Sequence, residues 1–365
     1  GWMHYRYPFI YGQPDTRQFP LATWRSAANW LHGGVRDPAW VIDHIDQDVP
    51  MLIEQIRTRV LPKRGIVAAP DEILITLGSQ NALYLLTRLL LSSTTRIGVE
   101  NPCFREAINT FLLADAEVVP HPVDEEGIVL NERPCDYYYV TPGPQVPTGV
   151  TMSSARRRQL LEHAARHDAV IIEDDYDSES NFSLNPLPAL KASVRSGRVV
   201  YVSSLSKALS PGLRLGFMVA DPDLIDEARA LRRLVYRHPP TNIQYQMAHF
   251  LAQGHYETHL RRYHYDSAQR WERLHAALQR YLPSCRALAG SEHANAFWLQ
   301  TPAQINTQQL TWRAAHAGVL IEPGARHFLN AAPPDNYFRM GFHAINPDAI
   351  AQGVEVLRGQ LEQMG

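Results

Sequence analysis

From residue 73 onward the apolar positions of the chain fall in short continuous runs, set apart by segments in which they recur at helical spacing. Runs at 73–76, 96–100, 117–123, 136–141, 169–179, 199–203 and 213–219 read as seven strands, the fifth of which ends in carboxylates. Helical spacing marks 51–61, where Leu52, Ile53, Ile56 and Val60 recur and Pro62 and Gly65 stop the helix, and then 81–91, 153–167, 223–237 and most of 243–282. Strands that alternate with helices in this way argue for an α/β fold on a mostly parallel sheet. After Cys285 the elements shorten, with strands at 296–299, 319–322 and 337–342, a helix at 308–317 and a terminal helix from Pro347. The pattern divides the chain into an N-terminal arm and first helix (1–45), a large domain (46–245), and a linking helix with a smaller C-terminal α/β domain (246–365). Residues 1–30 carry aromatics and prolines with little periodicity, so they are expected to lie as an arm across another surface.

Composition changes this picture little. A chain of 365 residues, 45% of them hydrophobic, can bury a large domain with a smaller companion. A formal net charge of −2 leaves no basic excess, so the chain alone is not expected to bind nucleic acid. Three scattered cysteines, Cys103, Cys135 and Cys285, suit a reducing compartment better than a disulfide framework. The longest apolar run, 83–91, is broken by Thr87 and Arg88 and is far short of the ~20 residues of a membrane span. No signal peptide opens the chain, no winged-helix sequence precedes Tyr5, and Met3 is a candidate native start, so a cytoplasmic protein with no membrane partner is the expectation. The sixteen histidines are scattered, and no metal-ligand spacing is present.

The candidate chemistry lies in Val202-Ser-Ser-Leu-Ser-Lys-Ala-Leu-Ser-Pro-Gly-Leu-Arg-Leu-Gly-Phe217, which sets Lys207 among small hydroxyl residues just after an apolar strand. A lysine amine attacks a carbonyl only when part of it is neutral, and a partly desolvated, cation-rich pocket brings its pKa toward roughly 7–8. Ser204, Ser206 and Arg214 supply such a pocket if they bind a phosphate. An aldehyde cofactor that carries a phosphate and joins a lysine as a Schiff base is pyridoxal 5'-phosphate, which needs a carboxylate facing its ring nitrogen. Asp174, at the end of the carboxylate strand, is the candidate, because strand ends facing a crevice are where open α/β sheets bind ligands. Gly78-Ser79-Gln80, a tight turn feeding a helix N-terminus, is a second phosphate grip. Taken singly, Lys207 would pass for a surface lysine and Asp174 for a solvated strand end.

Glu173-Asp-Asp-Tyr-Asp-Ser-Glu179, followed by Ser204-Leu-Ser-Lys207 and by Pro211-Gly-Leu-Arg214-Leu-Gly216, resembles the fold-type I pyridoxal-phosphate aminotransferases. The resemblance is strongest to the aminotransferase-like domain of the MocR/GntR-type regulators, and it runs from about Tyr7 to the end. It implies a seven-stranded, mostly parallel sheet in a large domain and a smaller C-terminal α/β domain. It also implies a homodimer, with an amino acid as substrate and a keto acid as co-substrate. By that resemblance Lys207 holds the cofactor and moves the α-proton, Asp174 keeps the pyridine nitrogen protonated, Phe104 stacks on the ring, and Gly12 of the arm lies close to the substrate. Arg339, in Tyr337-Phe-Arg-Met-Gly-Phe342, matches the arginine that clamps the substrate α-carboxylate.

The chain departs from the family in three places. Val146 stands where most members have the asparagine that bonds the cofactor's phenolic oxygen, which leaves Tyr176 as first candidate donor and Gln145 as second. Gly143-Pro144 replaces a Ser-His of the regulator branch. Glu106 stands where the regulators often have an arginine. Three functions remain open: transamination of an amino acid, sensing of an amino compound for an attached DNA-binding domain, or another reaction of the same cofactor, such as decarboxylation, oxidation or elimination.

Overall fold

The computed structural model describes residues 1–34, 39–43, 46–180, 182, 186–194, 197–288 and 294–364. Its large sheet has strand order Ile73–Thr76, Gly216–Val219, Val199–Ser204, Val170–Asp175, Tyr137–Val140, Arg96–Asn101, Glu117–Asp124, Gly127–Ile128. The five strands from Val199–Ser204 to Glu117–Asp124 run parallel, and Gly216–Val219 pairs antiparallel with both of its neighbours. The sheet thus has eight strands rather than the expected seven. The additional one is the two-residue return Gly127–Ile128 against Val123 and Asp124, too short to leave a hydrophobic run.

Alternation along these strands sends side chains to the two faces of the sheet. Ile73, Ile75, Tyr201, Phe217 and Val219 pack on one face with Leu52, Ile56, Met247 and Phe250. Leu74, Val200, Val202 and Met218 pack on the other with Leu83, Leu86 and Phe111. A sheet covered on both faces explains why its strands read as continuous apolar runs.

The predicted helix at 51–61 changes its winding instead of running through. An α-helical stretch, Pro50–Gln55, passes into a wider turn, Ile56–Val60, and a tighter one, Leu61–Arg64, which Gly65 ends at φ +74°. Pro62 has no N–H to donate, so the regular ladder cannot continue through it. The aperiodic reading of 1–30 also needs correction at its end, because Leu21–Gly34 is an α-helix. Its Ala27 joins the core around Phe250, and Trp24 packs edge-on against Phe250 at 5.4 Å.

The C-terminal sheet has order Arg286–Ala287, Ala296–Gln300, Tyr337–Gly341, Glu322–Pro323, and it is antiparallel throughout. The helix His255–Tyr281 joins the two units, with Tyr256 and Leu260 in the large core and Leu274 to Leu282 in the small one. The arm is part of the small unit. Tyr7–Pro8 pairs parallel with Val319–Leu320, and Gly341 donates its N–H to the Phe9 carbonyl at 3.1 Å. Only glycine fits at 341, since a Cβ there would run into the Ile10 carbonyl and the Tyr11 nitrogen. This close seat delivers residues 11 and 12 to the ends of the large sheet's strands. Among the described residues no helix is long and apolar enough to cross a membrane.

Candidate active site

A cavity of about 220 Å³ lies at the carboxyl ends of the parallel strands, lined by residues of the large sheet, the small sheet and the arm. Of the chain's three lysines, Lys63, Lys191 and Lys207, Lys207 alone lines it. Lys207 stands in a turn after Val199–Ser204, half-buried, and burial depresses its pKa, with Asp177 opposing and Arg339 assisting. That is the direction needed for a partly neutral amine at neutral pH.

Asp174 reaches the same cavity from the neighbouring strand. Tyr139 donates to its Oδ2 at 2.9 Å, and its Oδ1 is buried with no partner among the described residues. Burial, against the hydrogen bond from Tyr139, pushes the Asp174 carboxyl up to about 7. An acceptor left bare in this way fits a site built for a cationic N–H, since a buried carboxylate without one is costly.

Beside the cavity, Gly78 holds φ +83° and caps the helix Ser79–Leu90 without a side-chain cap, which leaves first-turn N–H groups for an anion. A Cβ on Gly78 would stand 2.7 Å from Nη2 of Arg214, so only glycine lets that guanidinium, held by the Leu77 carbonyl at 2.9 Å, pack over the turn. Ser79, Gln80, Ser204 and Arg214 line the cavity. Ser204 Oγ accepts from the Ser206 N–H at 3.2 Å and keeps its own proton for a ligand. Ser206 also lines the cavity, but its hydroxyl spans the Leu215 C=O at 2.9 Å and N–H at 2.6 Å, which fixes the strand next to Arg214. Phosphate-binding groups, a bare carboxylate and a lysine lining one cavity suit pyridoxal phosphate.

Phe104, Tyr176, Gly12 and Arg339 also line the cavity. Gly78 stands behind the lining, and Gln145 is removed from it. The Gln145 amide donates to the Pro102 carbonyl at 2.8 Å and the Val146 carbonyl at 2.7 Å, while its oxygen accepts from Thr148, so its polar atoms are spent on its own loop and the one at Pro102. Arg339 is 7% exposed, and its Nε and Nη2 both hold Glu322 Oε2, at 2.8 and 2.6 Å. Burial raises the Glu322 carboxyl, but contact with His327 and Arg339 outweighs it and brings the group down to about 2. The side-on edge of the guanidinium is therefore occupied, and its Nη1 end remains for a ligand.

Sequence reasoning missed four residues here: Tyr11, Tyr139, Asp177 and Glu322. Tyr139 had a signal, since a phenol on a strand buried on both faces must find a hydrogen-bond partner. Asp177 lay inside the quoted Asp-Asp-Tyr-Asp run without being singled out. Nothing local marks Glu322, whose role appears only when Glu322 and Arg339 pair across two strands.

Residues 46–355 match the family model described as aminotransferase class I and II. The HTH-type transcriptional regulator TauR of Rhodobacter capsulatus is 38% identical over 96% of this chain and 72% of its own length. The probable rhizopine catabolism regulatory protein MocR of Rhizobium meliloti is 32% identical over 97% of this chain and 72% of its own. Among solved structures, LysN, the alpha-aminoadipate aminotransferase of Thermus thermophilus, complexed with N-(5'-phosphopyridoxyl)-L-leucine, superposes with a TM-score of 0.88 at 27% identity. That match covers 98% of this chain and 92% of LysN.

Proposed function

Because this chain belongs to the class I and II aminotransferase family, whose enzymes work with pyridoxal 5'-phosphate, we propose that Lys207 is its covalent anchor and that the cavity around Lys207 moves an amino group from an amino acid to a keto acid. The observation that carries the reading is the unpartnered Oδ1 of Asp174 in the cavity that Lys207 also lines. When bound, the cofactor supplies an aldehyde for amine exchange and a protonated ring that draws off the electrons released at the substrate α-carbon.

The chain's residues divide the remaining work. Asp174 holds the proton on the ring nitrogen. The N-terminus of the helix at Ser79, with Gln80, the Ser204 hydroxyl and Arg214, takes the phosphate, while Gly78 and Ser206 set the turn and strand that place Arg214. Phe104 covers the ring. Tyr176 donates to the phenolic oxygen, because Val146 has no donor and Gln145 is already committed. Lys207 would hold the cofactor through its amine and would carry the proton taken from the substrate α-carbon. Gly12 leaves room for the substrate, and Arg339 takes its α-carboxylate end-on while Glu322 holds the other edge of the guanidinium. A homodimer is part of the reading, since in this fold type the cavity lies at the subunit interface. The division into a large and a small unit is part of the reading, with two apolar clusters behind it; the first takes in Ala27 and runs on to Leu260, and the second takes in Tyr7 and Phe9 of the arm, so the bounds at 45 and 245 do not coincide with the cores.

Arg339→Ala is expected to weaken binding of an amino acid by roughly 2–5 kcal/mol and of the matching amine without a carboxylate by far less. The comparison is read as a ratio of dissociation constants, which cancels effects common to both ligands. Equal losses for both ligands would remove Arg339 from this role.

A second reading, an effector-binding region in which the amino compound is held but not converted, is favoured by the identity to two transcriptional regulators. One experiment separates them. Cofactor-loaded protein is mixed with a panel of amino acids and no keto-acid acceptor, and released keto acid is measured. About one equivalent per cofactor for at least one amino acid is expected. Amino acids that bind without any release would favour the effector reading, and release of carbon dioxide or ammonia instead would point to another reaction of the cofactor.

A further inference from the structure

We propose that Tyr11, on the N-terminal arm, is a positioning residue that competes with the cofactor's phenolic oxygen for the proton of the Tyr176 hydroxyl. This rests on the reading above, in which Tyr176 serves that oxygen. The Tyr11 ring lies 4.1 Å from Lys207 Nζ and 4.3 Å from Arg339 Cζ, measured from its centroid, so the arm enters the cavity between the two cations of the substrate site. Its hydroxyl is placed to donate both to the Tyr176 hydroxyl and to Asp177 Oδ2, each at 2.9 Å. Asp177 is 2% exposed, and its Oδ2 also accepts from the Asn295 amide at 2.8 Å, which fixes the carboxylate in place.

Tyr11 has one proton for two acceptors. A carboxylate can only accept, so the contact with Asp177 is a hydrogen bond only when Tyr11 donates to it. Charge-assisted bonds are roughly twice as strong as neutral ones, so Asp177 takes that proton in preference to the neutral Tyr176. The Tyr11 oxygen is then left as an acceptor, and the Tyr176 proton turns toward it. To donate to a ligand in the cavity, Tyr176 must give up that bond, and Tyr11 must turn from Asp177 to fill the gap between the two phenols. The arm therefore weakens Tyr176 as a donor, through a chain of two hydroxyls ending on a buried carboxylate.

The sign of this effect is testable. A donor on the phenolic oxygen lowers that oxygen's hold on the neighbouring proton of the lysine-bound cofactor. Loss of the donor in Tyr176→Phe should raise the pH midpoint of the visible band. Tyr11→Phe keeps the ring between Lys207 and Arg339 but removes the competitor, so it should lower the midpoint by roughly a 2- to 10-fold change in acid constant, the equivalent of one hydrogen bond. In the Tyr176→Phe background the same substitution should have no effect. The other charged and titratable groups around the pair, Asp174, Asp177, Lys207, Arg339 and His343, are unchanged in all four proteins.

No shift in Tyr11→Phe, an upward shift, or a downward shift that persists without the Tyr176 hydroxyl would overturn the proposal. If Tyr11→Phe does not fold, as judged by circular dichroism of the cofactor-free protein, Asp177→Asn weakens the same acceptor. It should also lower the midpoint, and by less once Tyr176 is phenylalanine. A wild type that holds no cofactor removes both this proposal and the reading it rests on. A normal wild type with an unmoved Tyr11→Phe removes this proposal alone.

Discussion

Lys207→Ala is expected to release the cofactor from covalent attachment and to lower turnover by about 10³-fold or more, with the fold intact. The lysine does two jobs that no neighbour can take over. Its amine is the only one of the three lysine amines in the cavity, and it is the base placed to move the α-proton, a contribution worth roughly 10²–10⁴-fold on its own. Structurally the side chain has little to lose. It forms no ion pair among the described residues, and its amine lies over the faces of Tyr11 and Tyr176. The thermal midpoint of the cofactor-free variant should stay close to that of the wild type. A variant that retains a tenth of the turnover would show that the base lies elsewhere.

Asp174→Asn is expected to act in opposite directions on catalysis and on the empty fold. In the loaded protein the carboxylate faces a cation, and an amide cannot hold a proton on the ring nitrogen, so turnover should fall by about 10²–10³-fold, the scale of a lost electrostatic stabiliser in a closed site. In the cofactor-free protein the same carboxylate is buried with one bare oxygen. Its folded pKa, about 7, lies above the ordinary value of 3.8, so the unfolded chain gives up its proton first as pH rises. Stability is therefore lost between about pH 4 and pH 7 and stays lost above it. Asparagine does not titrate, and its carbonyl can still accept from Tyr139. Urea unfolding of the cofactor-free proteins should show the variant more stable by on the order of 2 kcal/mol at pH 8, with the gap closing toward pH 4. A wild type that is the more stable of the two at pH 8 would mean that Asp174 already has a cationic partner in the chain.

The parts of the site that could be read in the sequence were those in which chemistry and strand pattern coincide. Ile73–Thr76 matches the run read as a strand, because a strand covered on both faces shows consecutive apolar residues, here Ile73, Leu74 and Ile75 before a buried Thr76. Lys207 and Asp174 sit just beyond such runs, which places them at strand ends before any coordinates are known. The arm was legible only as an aperiodic segment. Its pairing with Val319–Leu320 and its close seat on Gly341 join residues more than three hundred positions apart, and no local pattern encodes that distance. Tyr11 was therefore out of reach, although Gly12 beside it was named by resemblance. Gln145 shows the reverse error, since an amide that looks available in a proline-rich turn is consumed by the carbonyls of Val146 and of the distant Pro102, and by Thr148. The helix Leu21–Gly34, expected only as a first helix within 1–45, has its signal in Trp24, Ala27 and Leu31 at helical spacing, and prolines and aromatics before it hid where it begins.

The most direct test of the account is to reduce the cofactor-loaded protein with borohydride, digest it and find the phosphopyridoxyl mass by peptide mapping. With only Lys63, Lys191 and Lys207 in the chain, the answer is unambiguous. The account predicts near-stoichiometric label on the peptide containing Lys207 and none on the other two. Label on Lys63 or Lys191, or loss of all label on digestion, would contradict it.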